Sequence, residues 1–218
     1  MLQSAVKTSS KGRTASREAR RQQLINATID SISKRGFSGT TLATVTKGLK
    51  LSHGLVNYHF DSKETLYVET LGYLADEHYR MWHKAMQGAA PDPARQLTAI
   101  IAVDFHRKIA SPKKLAVWFA FWGQAKYRPN YLKIYNNYDD ERFDEIVRLC
   151  TEIVADGPYC HLDPMVVARC LEAMVDGLWL NLLLYPNGTY RAEARDDCFS
   201  YLVGVFPEHY PTLPRFPS

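Results

Sequence analysis

Helical periodicity runs through nearly the whole chain and is the feature that most limits its fold. Apolar residues recur every three or four positions, and no stretch of useful length alternates apolar and polar residues as a strand would. The pattern is interrupted at segments that contain proline or glycine, namely Pro112, Pro129, 157–158 and 186–188. The sequence therefore predicts an all-α protein of about nine helices.

Capping and turn residues divide this pattern into helices. A helix capped by Ser16 ends at Gly36, a short helix follows with either Thr40 or Thr41 as its cap, and another follows Ser52. Further helices are predicted from about 61 to 86 and over 94–109, 113–127, 129–154, 164–185 and 192–206. These elements suggest a flexible basic arm (1–16), a helix-turn-helix domain (17–63), a helical body (64–206) and a proline-rich tail (207–218).

Charge is divided unevenly along the chain. Residues 1–63 contain eleven Lys or Arg and three Asp or Glu, a net charge of +8, whereas the remainder carries −4 and the whole chain +4. A basic segment joined to an acidic one predicts that the first binds a polyanion and the second does not.

The third predicted helix has two distinct faces. Val56 and Phe60, one turn apart, can pack on the first two helices, whereas His53 and Asn57 form a polar face. Gly54 allows a close approach of the backbone, and polar side chains of this kind suit base edges or phosphates. A solvated surface helix is the alternative, but the charge of +8 favours a helix that binds DNA.

The run from Thr41 to Leu66, which includes YHFDSKETL at 58–66, resembles the N-terminal domain of the TetR family of transcriptional repressors. The resemblance covers about residues 17–70 and implies a helical effector-binding and dimerisation domain for the rest. It also implies a homodimer that binds double-stranded DNA at a palindromic operator and leaves it when a small molecule binds.

The same resemblance assigns DNA contacts residue by residue. Thr41 and Ser52 would meet phosphates as helix caps. His53, Gly54, Leu55 and Asn57 would lie in the major groove. Tyr58, His59 and Lys63 would contact the phosphate backbone, and Arg17, Arg20 and Arg21 adjacent phosphates or the minor groove. Lys50 stands where the family usually has Gly, and Asn57 where an aromatic or small residue is frequent, so the operator sequence does not follow from relatives.

Aromatic residues are concentrated in the body. Trp118 and Trp122 lie one turn apart in a helix that is apolar on every side, and Tyr135 shares a face with other aromatic residues of the next helix. Ordinary core packing explains most of them, yet so many N–H and O–H groups also predict polar partners or a cavity. Asp176 shares a helix face with Trp179, where it is either a solvated acid or a partner for an organic cation.

The strings AVWFAFWGQA (116–125) and AMVDGLWLNLLL (173–184) resemble the C-terminal domain of the choline-responsive BetI-type branch of this family. This resemblance implies a quaternary-ammonium effector such as choline, with Trp118, Trp122, Tyr135 and Trp179 as an aromatic cage and Asp176 as its anion. An uncharged aromatic or lipophilic effector, and activation in place of repression, are alternatives. The last two helices would form the dimer interface through Phe199, Leu202, Val203 and Phe206, although the same stripe fits a core.

Catalytic and cofactor motifs are missing from the sequence. It has no Gly-rich phosphate loop, GxSxG, HExxH or paired-cysteine motif, and His78, His83 and His106 lack the spacing of metal ligands. The sequence therefore predicts no enzyme, cofactor or metal. The four cysteines suggest free thiols in a cytoplasm, the uncharged stretch 177–190 is too short to span a membrane, and no secretory signal is recognisable.

Overall fold

A computed structural model describes residues 9–47, 49, 53–89, 91–188 and 190–214, with no side-chain description at 9–16, 53–55, 132, 135–137 and 139. This part of the chain contains nine helices and no strand, which confirms the all-α prediction. The helices are α1 (Ser9–Gly39), α2 (Leu42–Lys47), α3 (His53–Phe60), α4 (Lys63–Gly88), α5 (Pro93–Asp104), α6 (Pro112–Ala125), α7 (Pro129–Asp156), α8 (Pro164–Leu184) and α9 (Arg191–Val205). They form two compact units, Met1–Tyr73 and Leu74–Ser218, so that α4 contributes residues to both.

Four consecutive helices, α5 to α8, begin with a proline. Proline suits the first helical position because it lacks a backbone N–H, and an N–H at that position would have no partner inside the helix. In three of the four, the preceding side chain caps the helix by accepting from backbone N–H groups of the first turn. These caps are Asp92, Ser111 and Asp163.

The observed helix bounds differ most from the predicted ones at two places. α1 begins at Ser9, within the segment for which the sequence suggests a flexible arm, and α5 ends at Asp104, not near residue 109. Residues 105–111 form turns, but Phe105 and Ile109 are buried there and extend the apolar pattern past the end of the helix. The regular part of α1 ends where predicted, because Gly36 has φ 69° and ψ 179°.

The first unit has a small apolar core built from all four of its helices. Leu24 and Ile32 of α1, Val45 of α2, and Val56 and Phe60 of α3 are all buried. The start of α4 completes the core, and the Tyr67 hydroxyl donates to the Thr40 carbonyl at 2.9 Å. The core thus fixes α3 through one face and leaves the opposite face outside. Lys50, Leu51 and Ser52, in the turn before α3, lie outside the described residues.

The second unit is organised around α7 and α8, which pack along each other. α6 contacts both of these helices, while α5 packs on α7 and α9, and α9 also contacts α8. After α9 the chain forms turns, and the buried Tyr210 donates its hydroxyl to the Ala94 carbonyl of α5 at 2.6 Å. This arrangement places residues of α4 to α8 around one interior region.

Candidate functional sites

α3 presents Asn57 and Tyr58 on the surface of the first unit. Asn57 is exposed and Tyr58 is 67% exposed, whereas Val56 and Phe60 on the same helix are buried. This is the orientation that a helix needs to read DNA with one face and pack with the other. His53, Gly54 and Leu55 belong to α3 but their side chains are not described, and Ser52 lies outside the described residues.

Four of the predicted phosphate contacts are exposed or half-buried in this unit. Thr41 is exposed and caps α2, because its hydroxyl accepts from the Thr44 N–H at 3.2 Å. The exposed Arg17 has its guanidinium 5.8 Å from the centre of the Tyr58 ring. The Lys63 ammonium lies 5.0 Å from the centre of the Tyr67 ring. Arg20 donates to Gln23 at 2.7 Å.

Arg21 requires a correction, because its guanidinium is used inside the protein. It donates to the His59 carbonyl oxygen, forms an ion pair with Glu69, and lies 4.4 Å from the centre of the Phe60 ring. These contacts join α1 to α3 and α4. Arg21 therefore holds the unit together, and its assignment to a phosphate is withdrawn.

His59 requires a similar correction. Its side chain is only 7% exposed, and its Nδ1 has no hydrogen-bond partner among the residues that the structure describes. Burial, together with the positive charges of Arg17, Arg21 and Arg20, lowers the pKa of the imidazole below its ordinary value of 6.5. A buried ring held neutral is a poor ligand for a phosphate.

In the second unit, three of the tryptophans lie close together. The rings of Trp118 and Trp122 from α6 and Trp179 from α8 have centres 6.2 to 6.5 Å apart in every pair. Trp122 and Trp179 are nearly parallel, with 10° between their planes, and the Trp179 Nε1–H donates to the Asp104 carbonyl at 2.9 Å. The three rings line a cavity of about 30 Å³, which we call the tryptophan cavity.

Polar residues form the remaining wall of the tryptophan cavity. Its other lining residues are His78, Asp104, Arg142, Glu172, Val175 and Asp176. The fully buried Asp104 carboxylate accepts from His78 Nε2 at 2.8 Å and from Arg142 Nη2 at 2.5 Å. Arg142 Nη1 also donates to Glu172 at 2.5 Å. The lining thus contains three carboxylates and one guanidinium.

Only part of this wall is predictable from the sequence pattern. Asp176, an exposed residue at the cavity, is predicted, whereas His78, Asp104 and Arg142 are not. The signal for Asp104 was present, since it is a single acid in an apolar helix and a buried charge requires a partner. Arg142 gave no such signal because it lies in a run of charged residues that is typical of a surface helix.

A second small cavity, of about 20 Å³, adjoins the tryptophan cavity. It shares His78, Trp118 and Arg142 with the first, and Ala75, Tyr79, Trp82 and Tyr138 complete its lining. The Tyr79 hydroxyl donates to Glu141 at 3.0 Å, and this hydrogen bond raises the pKa of Tyr79. The side chain of Tyr135, the fourth predicted member of the cage, lies outside the description.

Three of the four predicted dimer residues do not lie on the surface, and their assignment is also corrected. Phe199, Leu202 and Phe206 are fully buried within the chain itself, and Val203 is half-buried. Their stripe is the core-facing side of α9. Large apolar side chains are instead exposed along α8, where Met165, Val166, Leu180 and Leu184 are 40 to 56% accessible.

Two sequence families match consecutive parts of the chain. Residues 24–70 match "Bacterial regulatory proteins, tetR family", and residues 93–207, just over half of the chain, match "BetI-type transcriptional repressor, C-terminal". The chain belongs to the TetR family. It is a DNA-binding transcriptional regulator with a BetI-type C-terminal domain.

Individual relatives agree with this assignment. The HTH-type transcriptional regulator BetI of Paraburkholderia phymatum is 32% identical over 172 residues, which cover 75% of this chain and 81% of the relative. BetI of Burkholderia lata is 34% identical over 164 residues, covering 75% and 82%. These relatives, and the members of both families, are transcriptional regulators. The described residues contain no group of three or more His, Cys, Asp or Glu placed to hold a metal ion.

Solved structures share the fold. A transcriptional regulator from Pseudomonas aeruginosa PAO1 has a TM-score of 0.76 and 24% identity, covering 90% of this chain and 95% of its own. A regulator from Saccharomonospora viridis, solved in complex with choline, has a TM-score of 0.75 and 19% identity, covering 85% and 96%. Within the described residues, no helix is both long and apolar enough to span a bilayer.

Proposed function

We propose that this regulator is a dimeric repressor that binds a palindromic operator through α3 and leaves it when an organic cation enters the tryptophan cavity. The observation that carries the proposal is the composition of that cavity. Three tryptophan rings, which attract cations through their faces, share its lining with three carboxylates and one guanidinium. A neutral or anionic effector would gain nothing from this excess of negative charge.

Choline is the probe that the similar regulators favour. The similar regulator from Saccharomonospora viridis was solved in complex with choline, and the curated relatives are BetI regulators. A quaternary ammonium cannot donate hydrogen bonds, so aromatic faces and a nearby carboxylate are the partners that suit it. In the proposed site Trp118, Trp122 and Trp179 surround the ammonium, and Asp176 adds negative charge at the exposed side.

The size of the cavity suggests how binding reaches the rest of the body. A volume of about 30 Å³ holds about one or two water molecules. A cation as large as choline therefore needs the rings of α6 and α8 to move apart. Because packed helices shift between discrete arrangements, such a separation favours a second conformation of the body. Release of the operator follows if that conformation binds DNA more weakly.

Titration calorimetry with choline tests the effector half of the proposal. We expect the wild-type protein to bind choline, and Trp122→Leu to weaken binding by about tenfold, since one cation–π contact is worth about 1 kcal/mol or more. Tyr127→Leu, an exposed aromatic beyond the end of α6, is the matched control and should bind choline as the wild type does. No heat of binding at millimolar choline would exclude choline as the effector.

Substitutions in α3 and at the start of α4 test the DNA half. Asn57→Ala should reduce affinity for the operator much more than affinity for random DNA, because an exposed amide in the groove reads bases. Lys63→Ala should weaken both alike and lower the salt dependence, because a phosphate contact carries no sequence information. Fluorescence anisotropy of labelled duplexes measures both. Equal losses on the two duplexes for Asn57→Ala would contradict its base-reading role.

A further inference from the structure

Arg142 occupies an unusual position for an arginine. Its side chain is 3% exposed, and its two terminal nitrogens bond carboxylates from two different helices. Nη2 meets Asp104 at the end of α5, and Nη1 meets Glu172 in the middle of α8, each at 2.5 Å. The tryptophan cavity therefore already has a cation of the protein's own in its wall.

We propose that Arg142 is an internal counter-ion that the effector cation displaces from Glu172, and that Glu172 is the residue that makes the site select cations. This inference rests on the proposed function, that the cavity binds an organic cation. It adds the identity of the selective carboxylate and the contact that binding breaks.

The two carboxylates bonded to Arg142 differ in how easily they can part from it. Asp104 is fully buried and also accepts from His78, so it belongs to a closed network. Glu172 is 20% exposed and lines the cavity directly. The Arg142–Glu172 contact is thus the part of the network that an incoming ligand can reach, and Arg142 can keep Asp104 when Glu172 leaves.

Charge selection follows from this exchange. A mostly buried carboxylate is destabilised when its counter-ion is withdrawn and no other positive charge replaces it. A cationic ligand replaces the positive charge that Glu172 loses with Arg142, whereas a neutral molecule of the same shape does not. Asp176 contributes less than Glu172 to the selection of cations over neutral ligands, because water and salt weaken the attraction of an exposed carboxylate.

The exchange also gives binding a mechanical consequence. Arg142 lies in α7 and Glu172 in α8, the two helices that pack along each other in the body. Displacement removes one ion pair between them, while the Arg142–Asp104 pair still joins α7 to α5. The effector would thus weaken the contact of α7 with α8 in addition to separating α6 from α8.

Calorimetry with a matched pair of ligands tests the proposal. Choline and its uncharged analogue 3,3-dimethylbutan-1-ol have the same shape, and the ratio of their affinities measures charge selection. We expect Glu172→Gln to lower this ratio at least tenfold and Asp176→Asn to change it less than threefold. The reverse order, with selection lost in Asp176→Asn and kept in Glu172→Gln, would overturn the role of Glu172.

A conservative change at Arg142 tests the competition itself. Arg142→Lys keeps the charge but loses the fork that bonds two carboxylates at once, so the internal competitor is weaker. Displacement predicts that this variant binds choline several-fold more tightly than the wild type. An arginine with a purely structural role predicts equal or weaker binding, and that result would overturn the proposal.

The outcomes separate this inference from the function on which it rests. Thermal melting of each variant confirms that it is folded before ligand is added. If the wild type binds choline while Glu172→Gln keeps the charge selection and Arg142→Lys binds choline no more tightly, only the proposed roles of Glu172 and Arg142 are wrong. If the wild type binds neither choline nor tetramethylammonium, the cation site and the inference both fail.

Discussion

Arg17, Arg20 and Arg21 are neighbours in the sequence but have different surroundings in the fold. Arg17 is exposed and lies near the Tyr58 ring, whereas Arg21 bonds the His59 carbonyl and Glu69. The sequence predicts a basic helix correctly. It cannot tell which arginine faces inward, because the partners of Arg21 follow 38 and 48 residues later in other helices.

At the residue scale, His59 makes the stability of the first unit depend on pH. Its pKa is lowered in the folded protein, so below about pH 6.5 the unfolded chain binds a proton that the folded unit does not. This contribution is present in full above pH 6.5 and is lost as the pH falls toward the folded-state pKa. We expect the urea midpoint, followed by circular dichroism, to be lower at pH 5.5 than at pH 7.5.

Two replacements that cannot titrate separate charge from packing at this position. His59→Gln and His59→Phe should both reduce the difference between the two midpoints, whatever each does to the stability at pH 7.5. A difference as large as that of the wild type in both variants would show that other groups cause the pH dependence.

At the element scale, prolines and glycines were the most reliable guides to the helix bounds. Pro112 and Pro129 mark breaks in the sequence, and in the structure each is the first residue of a helix. The end of α5 was misplaced because buried apolar residues in the turns 105–111 continue the spacing of the helix. Apolar spacing reports burial, and only backbone hydrogen bonds distinguish a helix from a buried turn.

Gly36 and Gly72 provide a matched pair for testing helix termination in the first unit. A Cβ at either position would meet nothing within 4 Å, so the two differ only in backbone conformation. Gly36→Ala should destabilise by about 1–3 kcal/mol, because its φ and ψ are accessible almost only to glycine. Gly72→Ala, inside α4, should stabilise by about 0.5–1 kcal/mol. Urea unfolding measures both, and equal effects would contradict the conformational argument.

At the scale of the whole molecule, residues of five helices line the tryptophan cavity, and the sequence pattern indicates only some of them. Trp118, Trp122, Trp179 and Asp176 were found because they belong to helix segments with a recognisable pattern. The network of His78, Asp104 and Arg142 was missed, because its members are 26 and 38 residues apart and meet only when α4, α5 and α7 pack. The assignment of Phe199, Leu202 and Phe206 to a dimer interface was wrong for a related reason, since an apolar stripe does not reveal whether its own chain or a second copy covers it.

The exposed apolar side chains of α8 predict where two copies pair. We expect Leu180→Asp to dissociate the proposed dimer, because it places a charge in the centre of an apolar contact between α8 helices. Tyr127→Asp changes an equally large exposed side chain outside α8 and should leave the dimer intact. Analytical ultracentrifugation across a concentration series measures the dissociation constant. An unchanged constant for Leu180→Asp would place the interface elsewhere.

The tryptophans lie in only one of the two units, so that the two units differ in their intrinsic fluorescence. Three of its four tryptophans line the tryptophan cavity, and the fourth, Trp82, lines the adjoining one. All four belong to the unit Leu74–Ser218, while the unit Met1–Tyr73 contains tyrosine but no tryptophan. Emission excited at wavelengths that tyrosine does not absorb therefore reports on the unit Leu74–Ser218 alone. Intrinsic fluorescence can follow effector binding without a label, and operator binding by the other unit is visible to it only through a change in the body.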